Sequence, residues 1–286
     1  VRILITGDRG MLGMPVKAIL GSRHDVFGYD LPELDITDRA AVFAAVEKIK
    51  PDSIVHLAAW TDVEGAEEKD NHDRVFAVNA LGTRNLVAAA EAANAEILYL
   101  STDYVFDGEK GSPYHEWDLP NPLGHYARSK YAGELFVAAY RKHYIVRSAW
   151  LFGRGGSNFP QKILARAKKD GALRVVADQN GCPTFAVELA RGLAKVVGSE
   201  RWGTYHITNG GYTTWHALAV ETLRLAGMES VPVEPIPTKA AAAKVMRPRN
   251  SVLSDTFFRL EFGHRLPDWQ ESLALFVQEL IAIGEA

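Results

Sequence analysis

The chain opens on an apolar run that ends in three evenly spaced glycines, Val1-Arg2-Ile3-Leu4-Ile5-Thr6-Gly7-Asp8-Arg9-Gly10-Met11-Leu12-Gly13. No other feature narrows its fold as much. A short, β-branched, non-alternating run reads as a strand buried on both faces, which is a strand of a parallel sheet. After such a strand Gly7 allows a tight turn, Gly10 lets the backbone approach a pyrophosphate, and Gly13 lets the next helix pack close to the strand. That helix offers its amide-rich N-terminus to phosphate. The spacing is G-x-x-G-x-x-G rather than G-x-G-x-x-G, and glycine is a default turn residue on its own. Its position directly after a first strand is what points to a dinucleotide.

A second strand, Asp25-Val26-Phe27-Gly28-Tyr29-Asp30, ends in an acid at about the 20-residue spacing where a carboxylate binds the adenosine ribose hydroxyls. Asp30 repels a 2′-phosphate and favours NADH, whereas Arg9, within the glycine turn, would neutralise such a phosphate and favour NADPH. The balance leans slightly to NADH. In Leu34-Asp35-Ile36-Thr37-Asp38, Asp35 is placed to bond the adenine amino group with Ile36 packed on the ring, while Thr37 and Asp38 suit a helix cap; the two readings are compatible.

Strand and helix alternate from there. Ser53–Ala59, Ala95–Ser101 and Tyr144–Ser148 read as strands, and Asp73–Asn94 is Ala-rich with helical periodicity. This β-α-β-α order predicts a doubly wound parallel sheet with its ligand at the carboxyl ends of the strands, where Thr61, Thr102 and Trp150 fall. Beyond about residue 150 the pattern loosens. Phe159–Lys169 reads as a helix, Leu173–Val176 as a short strand, and Cys182-Pro183-Thr184 as the opening of another helix. Gly203–Ile207 reads as a strand returning to the main sheet, and Val231–Pro237 is too proline-rich for a central strand. Ala240–Ala243 reads as a helical turn. The expected division is a dinucleotide-binding domain over residues 1–152, with segments around 173–210 returning to it, and a smaller discontinuous substrate lobe over 153–286.

Composition excludes several alternatives. Lys and Arg number 32 against 35 Asp and Glu, for a formal charge of −3, with no basic run. This argues against nucleic acid or an anionic membrane as partner. Cys182 is the single cysteine, so no internal disulfide forms, as expected in the reducing cytoplasm. No apolar stretch reaches spanning length, and a first strand beginning at residue 1 leaves no room for a signal peptide. A cytoplasmic protein is expected.

The chemistry is carried by Thr102, Tyr126 and Lys130. Tyr126 and Lys130 share one face of a helix, one turn apart. An ammonium beside a phenol favours the phenolate, so Lys130 is expected to lower the Tyr126 pKa and to hold the nicotinamide ribose. Tyr126 would protonate a carbonyl oxygen while hydride reaches the carbon, and Thr102, at the end of an apolar strand, would bond the same oxygen. Y-x-x-x-K recurs by chance on amphipathic helices; joined to the glycine turn and a strand-end hydroxyl it describes a carbonyl reductase.

Several longer stretches carry a resemblance. They include His56-Leu57-Ala58-Ala59-Trp60-Thr61-Asp62-Val63, Val78–Thr83, Ser101-Thr102-Asp103-Tyr104-Val105-Phe106-Asp107-Gly108 and Pro122–Tyr126. Ser129–Glu134, Arg147–Trp150, Asp178-Gln179 with Pro183-Thr184, and Arg247-Pro248 complete them. On these the chain resembles an extended short-chain dehydrogenase/reductase, Rossmann-like in fold, and more narrowly the dTDP-4-dehydrorhamnose reductase family. The Ser-Thr-Asp-Tyr-Val-Phe string is the most specific match. The resemblance implies that Gly10, Met11 and Leu12 touch the cofactor pyrophosphate, and that Asp30, Asp35 and Ile36 meet its adenosine half. Ala58, Ala59, Trp60 and Thr61 would lie nearer the nicotinamide. Thr102, Asp103 and Tyr104 would contact the deoxysugar, and Trp150 would wall the sugar pocket, since a sugar's C–H face packs on a ring. Val63 would meet the thymidine nucleotide, and Arg247 the diphosphate, although Arg249 has the same chemistry.

The implied reaction is NAD(P)H-dependent reduction of dTDP-4-dehydro-L-rhamnose to dTDP-L-rhamnose. The rivals are a nucleotide-sugar 4-epimerase, a reductase of another deoxyketose, and a non-catalytic regulatory subunit. A monomer or homodimer is expected. Some relatives dimerise through a metal held by acids near the first helix; Met14-Pro15 places no acid there, so no such metal site is expected. His125, beside Tyr126, reads as a bystander more readily than as a tuning group.

Overall fold

The computed structural model describes residues 1–241 and 245–285. Strand and helix alternate through the first half as β1 (Arg2–Thr6), α1 (Gly13–Gly21), β2 (Asp25–Tyr29), α2 (Arg39–Ile49), β3 (Ser53–His56), α3 (His72–Phe76), α4 (Thr83–Ala92), β4 (Glu96–Thr102), α5 (His125–Ala138) and β5 (His143–Ser148). The second half contains β6 (Leu151–Phe152), α6 (Phe159–Asp170), β7 (Leu173–Val176), β8 (Asn180–Gly181), β9 (Thr184–Phe185) and α7 (Ala186–Val196). It continues with β10 (Gly203–His206), β11 (Thr213–Thr214), α8 (Trp215–Leu225), β12 (Val233–Ile236), α9 (Thr256–Phe262) and α10 (Trp269–Ala282).

Six strands form one sheet in the order β2-β1-β3-β4-β5-β10, every pair parallel. The order reverses between β1 and β3, which opens a crevice at their carboxyl ends, the usual ligand position in a doubly wound sheet. Ile3, Ile5, Val55, Leu98 and Val146 point to one face, where Val16 of α1 and Leu189 and Leu193 of α7 cover them. Leu4, Ile54, Ile97 and Ile145 point to the other, against Val42 and Val46 of α2 and Leu86 of α4. The period-two alternation of strand side chains therefore feeds two cores, each buried Leu or Ile contributing about 1.5–3 kcal/mol.

A neutral histidine braces the crevice from below. His56 Nδ1 meets Thr6 Oγ1 at 2.8 Å and Nε2 meets Thr83 Oγ1 at 3.0 Å. Burial pushes its pKa down to about 3, so it ties β1, β3 and α4 together without a charge.

The later segments go to different places. α7 packs on the main sheet and β10 pairs with β5. β7 instead pairs with β12 in a separate two-stranded ribbon. Its burial alternates, with Leu173 and Val175 inside and Arg174 exposed, and a strand buried on one face suits a ribbon better than a doubly covered sheet. β12 accommodates Pro235 because it has a partner on one side alone. A separate core is built by Ile163, Leu218, Leu223, Leu273 and Phe276 of α6, α8 and α10. Of the expected Ala240–Ala243 turn, Ala240 closes a short 3-10 turn from Thr238, and Ala242 and Ala243 lie outside the described residues.

Candidate active site

The glycine turn has the geometry its sequence requires. Gly7 has φ +76°, and a Cβ there would lie 2.7 Å from the Ala58 amide nitrogen; at Gly13 it would collide with the Gly7 carbonyl. Both glycines let β1, the β3 loop and α1 converge, leaving the α1 N-terminus open toward the crevice. That cradle fits a dinucleotide pyrophosphate.

A cleft of about 640 Å3 runs from this turn to the carboxyl end of β4. Gly7, Gly10, Met11, Leu12 and Gly13 line one end with Asp30, Asp35 and Ile36. Ala58, Ala59, Thr61 and Val63 line the middle, and Thr102, Asp103, Tyr104, Tyr126 and Trp150 the far end. Four other candidates do not line it. Arg9 turns outward to an ion pair with Glu33 and to the Leu31 carbonyl at 3.4 Å. Trp60 is held by its Nε1 on the Asp62 carbonyl at 2.9 Å, with Arg74 above its ring. Lys130 lies behind the wall, and Arg247 pairs with Glu64 at 3.1 Å. Asp38 caps α2 through the Ala41 amide at 3.0 Å, while Asp35 accepts from the Thr37 amide and hydroxyl at 2.9 and 2.7 Å. Asp35 and Ile36 also line the cleft.

At the far end, burial pushes the Tyr126 phenol up, Asp103 adds to the shift, and the neighbouring Thr102 hydroxyl opposes it. The expectation that Lys130 pulls this phenol down is not met. Lys130 Nζ donates to the Leu100 carbonyl at 2.7 Å and sits 4.2 Å from the Tyr99 ring centroid. Burial lowers its own pKa to about 7, against the pull of Glu134. Desolvation thus outweighs the attraction that spacing alone suggested. A phenol pushed up keeps its proton at neutral pH but gives it up less readily than an ordinary one.

Three buried polar atoms of the cleft lining lack hydrogen-bond partners among the described residues, namely Ser101 Oγ, Ser148 Oγ and Asp103 Oδ2. Buried polar groups are nearly always paired, so this group marks where a polar ligand belongs. Thr102 Oγ1 donates to Asp103 Oδ1 at 3.1 Å. Trp150 has φ +45°, a strained conformation for an aromatic residue, and stacks on Trp215 with centroids 3.4 Å apart. Gly155, Gly156, Ser157 and Trp215 of the second lobe complete the lining.

Several functional side chains escape a reading of the sequence. Asn79 accepts from the Trp60 amide at 2.8 Å and donates to Ser129 Oγ at 2.9 Å, fastening the β3 loop to α5. It sits in a wide π-type turn, Ala77–Gly82, a distortion that often marks function. Glu67 reaches the N-terminus of α5, and Glu33 holds Arg9. The Val78–Thr83 match was the one signal that touched Asn79.

Such a sheet, with a glycine turn leading into a cleft that ends at a half-buried phenol and a buried hydroxyl, defines a dinucleotide-dependent oxidoreductase. The chain belongs to the family described as the RmlD substrate binding domain, whose family model matches residues 1–282. It is 41% identical over 280 residues to a dTDP-4-dehydrorhamnose reductase of Streptomyces griseus, covering 95% of this chain and 91% of that protein. It is 39% identical over 261 residues to a dTDP-4-keto-6-deoxy-D-glucose reductase of Streptomyces niveus, covering 90% of each. The crystal structure of dTDP-4-dehydrorhamnose reductase from Bacillus anthracis in complex with NADP superposes with a TM-score of 0.93 at 36% identity, covering 97% of this chain and 99% of that one.

Proposed function

We propose that this protein reduces the 4-keto group of dTDP-4-dehydro-L-rhamnose to give dTDP-L-rhamnose, within dTDP-rhamnose biosynthesis. The observation that carries this reading is the partnerless trio of Ser101, Ser148 and Asp103, which line the same cleft as Tyr126 and the glycine turn. A bound NADH or NADPH supplies hydride to sugar C4. Tyr126 gives its phenolic proton to O4, so the ketone becomes an alcohol and the phenol is left to be reprotonated from solvent. Thr102 bonds O4, and Asp103 and Tyr104 hold neighbouring sugar oxygens. Trp150 packs on the sugar's C–H face. Lys130, held at the Leu100 carbonyl, meets the nicotinamide ribose, and Arg247 turns from Glu64 to the diphosphate.

Residues 1–152 with α7 and β10 bind the dinucleotide, and the remaining second-lobe elements cover the sugar nucleotide. The protein works in the cytoplasm, as a monomer or homodimer. Asp30 beside the adenosine end favours NADH, whereas Arg9 and the NADP-bound Bacillus anthracis relative favour NADPH. The Streptomyces niveus relative favours one alternative substrate, dTDP-4-keto-6-deoxy-D-glucose.

The test follows oxidation of NADH and NADPH with each keto-sugar. Turnover should fall about 10²–10⁴-fold in Tyr126→Phe with dinucleotide affinity kept. Wild-type rates in that variant would refute the proton-donor role.

A further inference from the structure

The helix that carries Tyr126 is anchored unevenly. Toward its C-terminal end Glu134 makes a bidentate pair with Arg147, at 2.9 and 2.7 Å, both side chains buried. In its middle, Tyr99 donates to the Lys130 carbonyl at 3.1 Å and Asn79 to Ser129 Oγ at 2.9 Å. The N-terminal end, one residue from Tyr126, has no cap of its own, since the N-cap residue is Gly124. The missing acceptor comes from elsewhere in the chain. Glu67 Oε1 accepts from the His125 amide at 2.6 Å.

Glu67 ends a short turn, Gly65–Glu67, that comes just after the cleft-lining residues Ala58, Ala59, Thr61 and Val63. Its carboxylate sits where the positive end of the α5 dipole favours an anion. His72 and His125 stack beside it with centroids 3.5 Å apart, and the His72 ring approaches the Glu67 carbonyl at 3.4 Å. Gly124 makes room for the arrangement: a Cβ there would lie 2.6 Å from Glu67 Oε1, and its three nearest neighbours would all be atoms of the Glu67 carboxylate.

We propose that Glu67 is a positioning residue for the reductase reaction, a cap lent by the nicotinamide-side loop that sets the first turn of α5 and with it the phenol of Tyr126. It lies outside the lining of the main cleft, and it acts through the helix. The inference rests on Tyr126 as proton donor. It explains why a helix bearing such a residue begins at a glycine with no side-chain cap. It also makes loop and helix move together, so the face that meets the nicotinamide and the group that delivers the proton stay in register.

Gly124 supplies the decisive test. Its backbone is extended, φ −99° and ψ 172°, the conformation in which Asp or Ser caps a helix. In Glu67→Ala, kcat should fall about tenfold or more while KM for the nucleotide sugar and Kd for the dinucleotide stay within about twofold. Adding Gly124→Asp to that variant fills the vacated space with a local carboxylate and should return kcat to within about threefold of wild type. Gly124→Asp alone sets two carboxylates against each other and should be slow. Hydrogen exchange of the peptide spanning the start of α5, read without substrate, should speed up in Glu67→Ala and recover in the double variant, whichever keto-sugar proves to be the substrate. Failure of the wild-type enzyme on both keto-sugars, with this exchange pattern intact, would fault the substrate reading and leave the cap standing. Unchanged kcat and exchange in Glu67→Ala, or a folded double variant that stays slow, would overturn the proposal.

Discussion

Replacing Asp103 by Asn removes a titrating group from the cleft floor at almost constant size. Asp103 is 2% exposed, and its Oδ2 has no partner. Burial raises its pKa from 3.8 to about 7, against the hydrogen bonds of Ser251, Thr102 and the nearby backbone. The folded protein therefore holds this proton more tightly than the unfolded chain does. The sign follows from linkage. Stability falls as pH rises between about 4 and 7, the full penalty is present above 7, and none remains below about 4. Three units at about 1.36 kcal/mol each set a ceiling of about 4 kcal/mol. The amide of Asn adds a donor without an acceptor, worth about 1–3 kcal/mol at every pH. The difference in Tm between Asp103→Asn and wild type should therefore climb in favour of the variant from pH 4.5 to about pH 7 and level off by pH 8.5, by as much as about 10 °C in all. Thermal scans at constant ionic strength, without dinucleotide, measure it, and titrations common to both proteins cancel. A difference flat across that range would refute the reasoning, because the buried carboxylate would then carry no penalty.

Two further perturbations probe other parts of the molecule. Arg147→Met strands the Glu134 carboxylate, which is 3% exposed, and should cost about 3–5 kcal/mol in denaturant unfolding; Arg147→Met with Glu134→Leu should recover most of the loss. Glu33→Gln releases Arg9 from its ion pair, so KM for NADPH should fall about threefold while KM for NADH stays unchanged, and equal changes for both cofactors would show that Arg9 does not read the 2′-phosphate.

What the sequence made legible was local. The glycine turn, the strands Arg2–Thr6 and Glu96–Thr102, and the Tyr126–Lys130 spacing each depend on a few neighbouring residues, and a period or a φ requirement betrays them. The pairing of Leu173–Val176 with Val233–Ile236 did not show, because a four-residue strand carries no mark of its partner some 60 residues away. Charges were legible as types but not as directions. Arg9 and Lys130 were named, yet Glu33 and the Leu100 carbonyl decide where their side chains point. Glu67 and Asn79 escaped because capping across 58 residues and bridging across 50 leave no local pattern.

The stacked indoles of Trp150 and Trp215 make this cleft visible to light. Two parallel chromophores 3.4 Å apart share their excitation, so they should give the near-ultraviolet circular dichroism a paired signature that the four other tryptophans, none stacked on another tryptophan among the described residues, do not produce. Because both rings line the cleft, whatever settles there alters that signature directly. The enzyme carries its own optical gauge of occupancy, read without label and without waiting for turnover.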